Sequence, residues 1–372
     1  MTGRRLLDDL RARTPAMVDA LRVLVEAESP TTDARACIAC AEIADGLAAD
    51  LIGKRPERHE TQGRVHLRWR FGSSTRVLLV GHLDTVWPVG TLARWPFEVQ
   101  DGRATGPGVF DMKAGVVQLL FALSALDSLD GVTVLLTTDE ETGSPTARPL
   151  IEDTAVGAPA ALVLEPSAGG ALKTERKGVS VYRIDVNGRA AHTGLDPEQG
   201  ANAAVELAHQ VLAIAALARP ELGTTVAPTV VAGGTAVNTI PAEASVQVDV
   251  RTRTIVEANR VASQLAELRP LTPGTSVRVE RTTAIPPLER PVSAQLFELA
   301  QREAADLGLP PLGEASVGGG SDGNLLAALG VPVLDGLGAV GDHAHGEGEY
   351  VEIAALADRA ALVAALVRSL LA

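Results

Sequence analysis

The chain has 372 residues, more than one simple core serves, so two domains are expected. Hydrophobic residues make up 46% and aromatics only 3%, so the core must be built from Ala, Leu and Val. A net charge of −13 with no basic run argues against nucleic acid and anionic membrane as partners.

Arg4 and Arg5 are followed by no uninterrupted apolar segment, so the N-terminus reads as an amphipathic helix and not a signal peptide. No run approaches the roughly 18 apolar residues of a membrane span. The expectation is a soluble, cytoplasmic protein. Residues 5–27 and 33–52 read as two helices, with Asp33 as the N-cap of the second. Cys37 and Cys40 form a lone C-x-x-C of helical period with no second pair, and read as ordinary buried cysteines. Val65 to Arg70 alternates as an edge or half-exposed strand would, which places His66 at the surface.

The next strand, Arg76 to Asp84, is apolar until it stops on His82-Leu83-Asp84. Residues i and i+2 of an extended chain point the same way, so Asp84 can hold one ring nitrogen of His82 while the other faces a metal. A plain structural pair at a strand end is the alternative. Two of the three tryptophans, Trp87 and Trp95, follow in a loop that either lines a substrate mouth or closes on itself. Gly106 to Gly115 is a glycine-rich turn opening a helix at 116–126, with Asp111 at or near its start. It lacks both phosphate-loop patterns, so Asp111 is a helix cap or a metal bridge.

Val132 to Thr138 is a buried strand ending in Asp139-Glu140-Glu141-Thr142-Gly143. Acids there are costly unless paired. Strand alternation would let Glu140 and Glu141 take different jobs; a solvated turn is the alternative. Ala161 to Leu164 is a third short strand, with an acid, Glu165, and a proline at its end. From about 177 to 285 the strands become half-exposed, in the order β-α-β-β-α-β, with helices at 200–217 and 255–268. That pattern is a two-layer α+β module inserted into an α/β domain. After Pro286-Pro287 come a helix at 292–307, Gly318 to Gly323, a strand at 331–334, a loop with His343 and His345, and a helix at 351–371.

The fold class is therefore α/β: a mixed, mainly parallel sheet flanked by helices, formed by 1–176 and 286–372, with an α+β module at 177–285. The acids and His82 fall at carboxyl ends of strands or at a helix start, where open α/β sheets bind ligands. His82, Asp84, Asp111, Glu140, Glu141, Glu165 and a histidine at 343 or 345 suit zinc, cobalt or manganese. The carboxylates are too many for one tetrahedral zinc and enough for two ions sharing a bridge.

In this order the motifs resemble the co-catalytic dinuclear zinc peptidases and deacylases, a family that includes glutamate carboxypeptidase, acetylornithine deacetylase, succinyl-diaminopimelate desuccinylase and aminoacylase. The marks are Gly81 to Val86, Gly106 to Gly115, Asp139 to Gly143, Glu165-Pro166, Ala191-His192-Thr193-Gly194 and Gly320-Ser321-Asp322. The resemblance implies two Zn2+ per subunit, with Asp111 as bridge. It implies His82 and Glu165 on one ion, Glu141 and a C-terminal histidine on the other, Asp84 orienting His82, and Glu140 as general base. The family's spacing of histidine, three residues, acid and aromatic selects His345 over His343.

In the family it resembles, a glutamate at the position of Glu165 goes with deacylases and carboxypeptidases, and an aspartate with di- and tripeptide aminopeptidases, so the resemblance implies an N-acyl or peptide bond next to a free carboxylate. The expected function is that of a glutamate carboxypeptidase-like metallopeptidase acting on a short peptide or N-acyl amino acid. The alternatives are an N-acyl-amino-acid deacylase and an inactive ligand-binding member. The resemblance further implies a homodimer formed through the inserted module, His192 stabilising the oxyanion in the partner's site, and Asn238 and Arg251 holding the substrate. Arg281 is the nearest match to an additional arginine of glutamate-releasing members.

Overall fold

The structure is a computed structural model that describes residues 3–372. It divides into two compact units. One comprises 1–175, 290–317 and 321–372; the other comprises 176–289 and 318–320.

The first unit is built on a six-stranded sheet ordered Glu57–Thr61, Arg64–Arg70, Val132–Thr137, Val77–His82, Ala161–Val163, Val333–Leu334. The first two pairings are antiparallel and the remaining three parallel. Alternation fills both faces. Val77 and Leu79 join a cluster with Leu119, Val363 and Leu366, while Leu78 and Val80 are equally buried on the opposite face. Scarce aromatics leave the packing to small residues. Ala360, Ala361, Ala364 and Ala365 of the helix Ile353–Leu371 are all fully buried.

Three expectations change. The N-terminal helix is two, Gly3–Ala12 and Thr14–Glu26, divided at Arg13. Pro15 lies in the first turn of the second helix, where its missing N–H costs nothing but would break a continuous helix. Arg64–Arg70 is an interior strand, because Glu57–Thr61 pairs along its outer side. His66 is consequently buried, not at the surface. Even Arg68 in that strand is buried, with its guanidinium donating to Glu57 and Asp153. The capping and cysteine expectations hold: Asp33 accepts the N–H groups of Arg35 and Ala36, and both cysteines are buried in the helix Ala34–Ile52.

The second unit is a four-stranded antiparallel sheet ordered Thr225–Gly233, Glu243–Thr252, Gly178–Asn187, Ser276–Ile285. Tyr182, Ile184, Val246, Val248 and Val250 form its core with Leu207 and Ile214 of the helix Ala203–Ala215 and Val261 and Leu265 of Ile255–Ala266. The chain order is the β-α-β-β-α-β series expected. No helix among the described residues is long and apolar enough to cross a membrane.

Candidate metal centre

Parallel register brings the candidate ligands together. His82 pairs with Thr137, and Leu164 N–H donates to Val80 O at 2.9 Å, so three strand ends finish at one level. His82 closes its strand, Glu140 follows the second by three residues and Glu165 the third by two. Asp111 arrives on the turn Val109–Lys113, which Gly108 enters at φ +73°. A side chain at 108 would stand 2.4 Å from the Thr85 methyl. Asp111 itself has non-helical angles, φ −112° and ψ 98°, and its peptide bond to Met112 is cis. The helix behind it starts against strand backbone: a Cβ on Gly115 would lie 2.1 Å from Leu164 O. His345, at φ +62°, sits in the turn between the short strands Gly341–Asp342 and Tyr350–Glu352.

His82, Asp111 and Glu141 have ligand atoms within 4.8 Å of one another, as do His82, Glu140 and Glu165. Finer distances sort the group. His82 Nε2 lies 3.2 Å from Asp111 Oδ1 and 3.5 Å from Glu165 Oε1. His345 Nε2 lies 3.4 Å from Asp111 Oδ2 and 3.0 Å from Glu141 Oε2. Glu140 Oε2 stands back, 3.9 Å from His82 Nε2. Zinc bonds of about 2.0–2.1 Å in tetrahedral geometry leave donors roughly 3.3 Å apart. The His82–Asp111 and His345–Glu141 separations, 3.2 and 3.0 Å, are close to that spacing. Among the described residues, Glu141 Oε1 is buried without a hydrogen-bond partner, an expensive state that a cation would relieve. His343 is turned elsewhere, its ring 6.2 Å from that of Tyr350.

The electrostatics match a site made for cations. Burial opposes protonation of His82, yet its bonds to Asp111 and Glu165 hold its pKa well above the ordinary histidine value. Hydrogen bonds to Asp111 and Glu141 push His345 up to about 10. Burial works against Asp111, but the bonds from His345 and His82 hold its pKa below the usual carboxylate range. Burial and the neighbouring Glu165 charge raise Glu140 well above an ordinary glutamate, and burial raises Glu141.

Two local geometries differ from expectation. The ring nitrogen Nδ1 of His82 is 2.9 Å from the Asp84 main-chain oxygen, whereas the Asp84 carboxylate is 3.7 Å away. The strand ends at His82, so strand alternation no longer sets the direction of the Asp84 side chain. The Asp84 carboxylate instead accepts the N–H groups of Glu140 and Glu141 and the Thr31 hydroxyl. Glu140 and Glu141 lie on a 3-10 turn, Glu140–Thr142, so it is a helical turn that separates their directions, not strand alternation.

The remaining candidates lie in the second unit. His192 is exposed; its N–H donates to Asp196 and its Nδ1 accepts the Gly194 N–H. Asn238 is exposed and accepts the Thr193 N–H through its main-chain oxygen. Arg251 grips Asp249 two residues back, Nε to Oδ1 at 2.9 Å and Nη2 to Oδ2 at 2.9 Å. Arg281 faces Tyr182 across the ladder, beside an irregularity between 281 and 283.

Sequence reasoning assigned no role to three residues near the centre. Lys173 Nζ is 3.8 Å from Glu165 Oε2. Asp322 is buried against the Thr137 and Ser144 hydroxyls, and burial pushes its pKa up to about 7. Glu349 is fully buried and accepts the main-chain N–H groups of Gly108, Phe110 and Asp111 and the indole N–H of Trp87. Its signal was present as the acid four residues after His345.

The model of peptidase family M20/M25/M40 matches residues 78–369. The chain is 31% identical to carboxypeptidase G2 of Pseudomonas sp. (strain RS-16), with 96% of this chain and 89% of that protein covered. It is 28% identical to succinyl-diaminopimelate desuccinylase of Wolinella succinogenes, over 79% of this chain and 84% of that one. Among solved structures, a tripeptidase from Staphylococcus aureus has a similar fold, with a TM-score of 0.75 at 20% identity over 96% of this chain and 98% of that one.

Proposed function

Because the chain belongs to peptidase family M20/M25/M40 and is a metal-dependent hydrolase of amide or peptide bonds, we propose that it cleaves such a bond next to a free carboxylate, as a glutamate carboxypeptidase-like enzyme. The observation that carries the two-ion reading is the division of Asp111: one oxygen faces His82, the other His345. His82, Asp111 and Glu165 would hold one zinc ion, and Asp111, Glu141 and His345 the other. Ions held there polarise a carbonyl oxygen and acidify water.

Glu140 is the proton carrier. It takes a proton from the attacking water as the water oxygen bonds to the carbonyl carbon. It gives that proton to the amine nitrogen as the C–N bond breaks, so the products are a carboxylic acid and an amine. A carboxylate standing just behind the proposed ligands suits both halves of this task. Asp84 sets the turn on which Glu140 stands and, through its main-chain oxygen, the ring of His82.

Residues 1–176 and 286–372 are the catalytic domain and 177–285 the lid and dimerisation domain of a cytoplasmic homodimer. The edge strand Thr225–Gly233 supports this, with Val230 and Val231 exposed at 55% and 61%. His192 would reach the partner's site and donate to the oxyanion. Asn238 and Arg251 would bind the substrate amide and carboxylate, with Asp249 giving up part of the guanidinium fork.

Likeness to carboxypeptidase G2 over 96% of the chain supports the carboxypeptidase reading. Likeness to a desuccinylase favours a second one, an N-acyl-amino-acid deacylase. A panel of C-terminal glutamyl dipeptides and N-acetyl and N-succinyl amino acids, each beside its C-terminal amide, separates them, with metal analysis of the same sample. The expected result is cleavage of glutamyl dipeptides, lost with a chelator, restored by zinc and absent for the amides. Equal cleavage of the amides removes the carboxylate requirement; cleavage of N-acyl amino acids alone selects the deacylase.

A further inference from the structure

Glu349 stands outside the ligand set but touches its centre. Its Oε1 accepts the N–H groups of Phe110 at 2.7 Å and Asp111 at 2.8 Å, and its Oε2 accepts those of Gly108 at 3.0 Å and the Trp87 indole at 3.0 Å. A carboxylate offers about four acceptor positions, so this one is saturated. It is fully buried, and two of its donors, Phe110 and Asp111, are main-chain groups of the irregular turn Val109–Lys113, with Gly108 at the turn's entry. Hydrogen bonds at two successive N–H groups, Phe110 and Asp111, hold the main chain that carries the Asp111 side chain.

Glu349 also belongs to the turn that carries His345. Its N–H donates to Gly346 O at 3.1 Å, and Gly346 N–H to His343 O at 2.8 Å. The strand that begins at Tyr350 then pairs with Arg103–Thr105. One side chain thus ties the His345 turn to the Asp111 turn, across 238 residues of sequence.

We propose that Glu349 is a positioning residue that sets the bridging carboxylate Asp111 against His345, and so determines how tightly the ion pair is held. This rests on the two-ion reading above. It predicts a defect in ion binding, not only in folding. Groups that orient metal ligands typically change metal affinity about 10–100-fold when replaced. Glu349→Gln keeps the shape but turns an amide N–H2 towards backbone donors. Trp87→Phe removes only the donor farthest in the chain from Asp111.

The test is zinc affinity by competition with a chromophoric chelator, on full-length wild type, E349Q and W87F, with thermal midpoints measured alongside. The expected result is a 10–100-fold loss for at least one ion in E349Q, with W87F like wild type. Should E349Q not fold, E349D, which withdraws the carboxylate by one methylene, takes its place in the same comparison. Wild-type affinities in the folded variant, or an equal loss in W87F, overturn the proposal while leaving the two-ion reading intact. A wild-type chain that binds fewer than two ions overturns both.

Discussion

Asp84 Oδ1 accepts the main-chain N–H of Glu140 at 3.2 Å. A fully buried carboxylate at the end of one strand thereby fixes the turn carrying the proposed proton carrier on the neighbouring strand. The arrangement separates support from chemistry, and each can be removed alone.

Glu140→Gln removes the proton carrier and leaves every proposed ligand in place. Turnover should fall about 10²–10⁴-fold, the usual worth of general acid–base catalysis, while metal analysis still finds two ions per chain. Retained turnover would sink the mechanism. The same variant tests the role of His192. Mixed with His192→Ala chains, it should regain part of the activity through hybrid dimers, because each hybrid contains one site with both groups intact. No recovery on mixing, under conditions where subunits demonstrably exchange, removes the action in trans.

The two C-terminal histidines offer a matched pair. His345 contacts Asp111 and Glu141, whereas the His343 ring lies 6.2 Å from Tyr350. His345→Ala should cost one ion equivalent and most of the activity; His343→Ala should keep both ions. The reverse outcome would exchange their roles.

His66 gives a stability test. Its Nδ1 faces the Thr138 N–H at 3.3 Å, so that nitrogen accepts; Nε2 therefore donates to Thr146 Oγ1 at 3.0 Å, and that hydroxyl donates to Asp139 Oδ2 at 2.7 Å. Burial lowers the His66 pKa, which keeps the ring in the neutral form this chain requires. His66→Phe strands the buried Thr138 N–H and should cost about 1–3 kcal/mol in urea denaturation. A cost near zero would mean that the network relaxes onto water.

Acid should loosen the second unit through Glu257. Its carboxylate accepts Arg260 Nη2 at 2.7 Å and Thr224 Oγ1 at 2.8 Å, and these bonds, the arginine's first, hold its pKa near 2 against an ordinary 4.5. A depressed folded pKa means that the unfolded chain binds the proton more tightly. The stabilisation is therefore complete above pH 4.5 and is lost as pH falls towards 2. Hydrogen exchange in 203–285 should grow faster in that window for wild type than for Glu257→Gln. Parallel pH profiles would show the pair to be inert.

The sheet and the clustering of the candidate ligands were legible because buried parallel strands are apolar throughout and stop abruptly on polar residues, as Leu79 to Asp84 does. His66 was not, since R-V-H-L-R-W-R alternates like a surface strand while an outer strand and an Arg68–Asp153 ion pair enclose it. Asp84 was half legible: its place beside His82 is a matter of sequence, but which of its oxygens meets the ring depends on where the strand ends. Glu349 was marked only as the acid four residues after His345; its role stayed hidden because three of its four partners are main-chain N–H groups, which every residue but proline carries.

The poverty of aromatic residues has an optical consequence. Of three tryptophans, Trp69 is buried in the sheet, while Trp87 and Trp95 stack edge to face at 5.0 Å, and Trp87 donates its indole proton to Glu349. Trp87 therefore emits from within one side chain of the backbone that carries Asp111. Native fluorescence becomes a label-free gauge of the centre, readable in a stopped-flow cell without dye, tag or substrate.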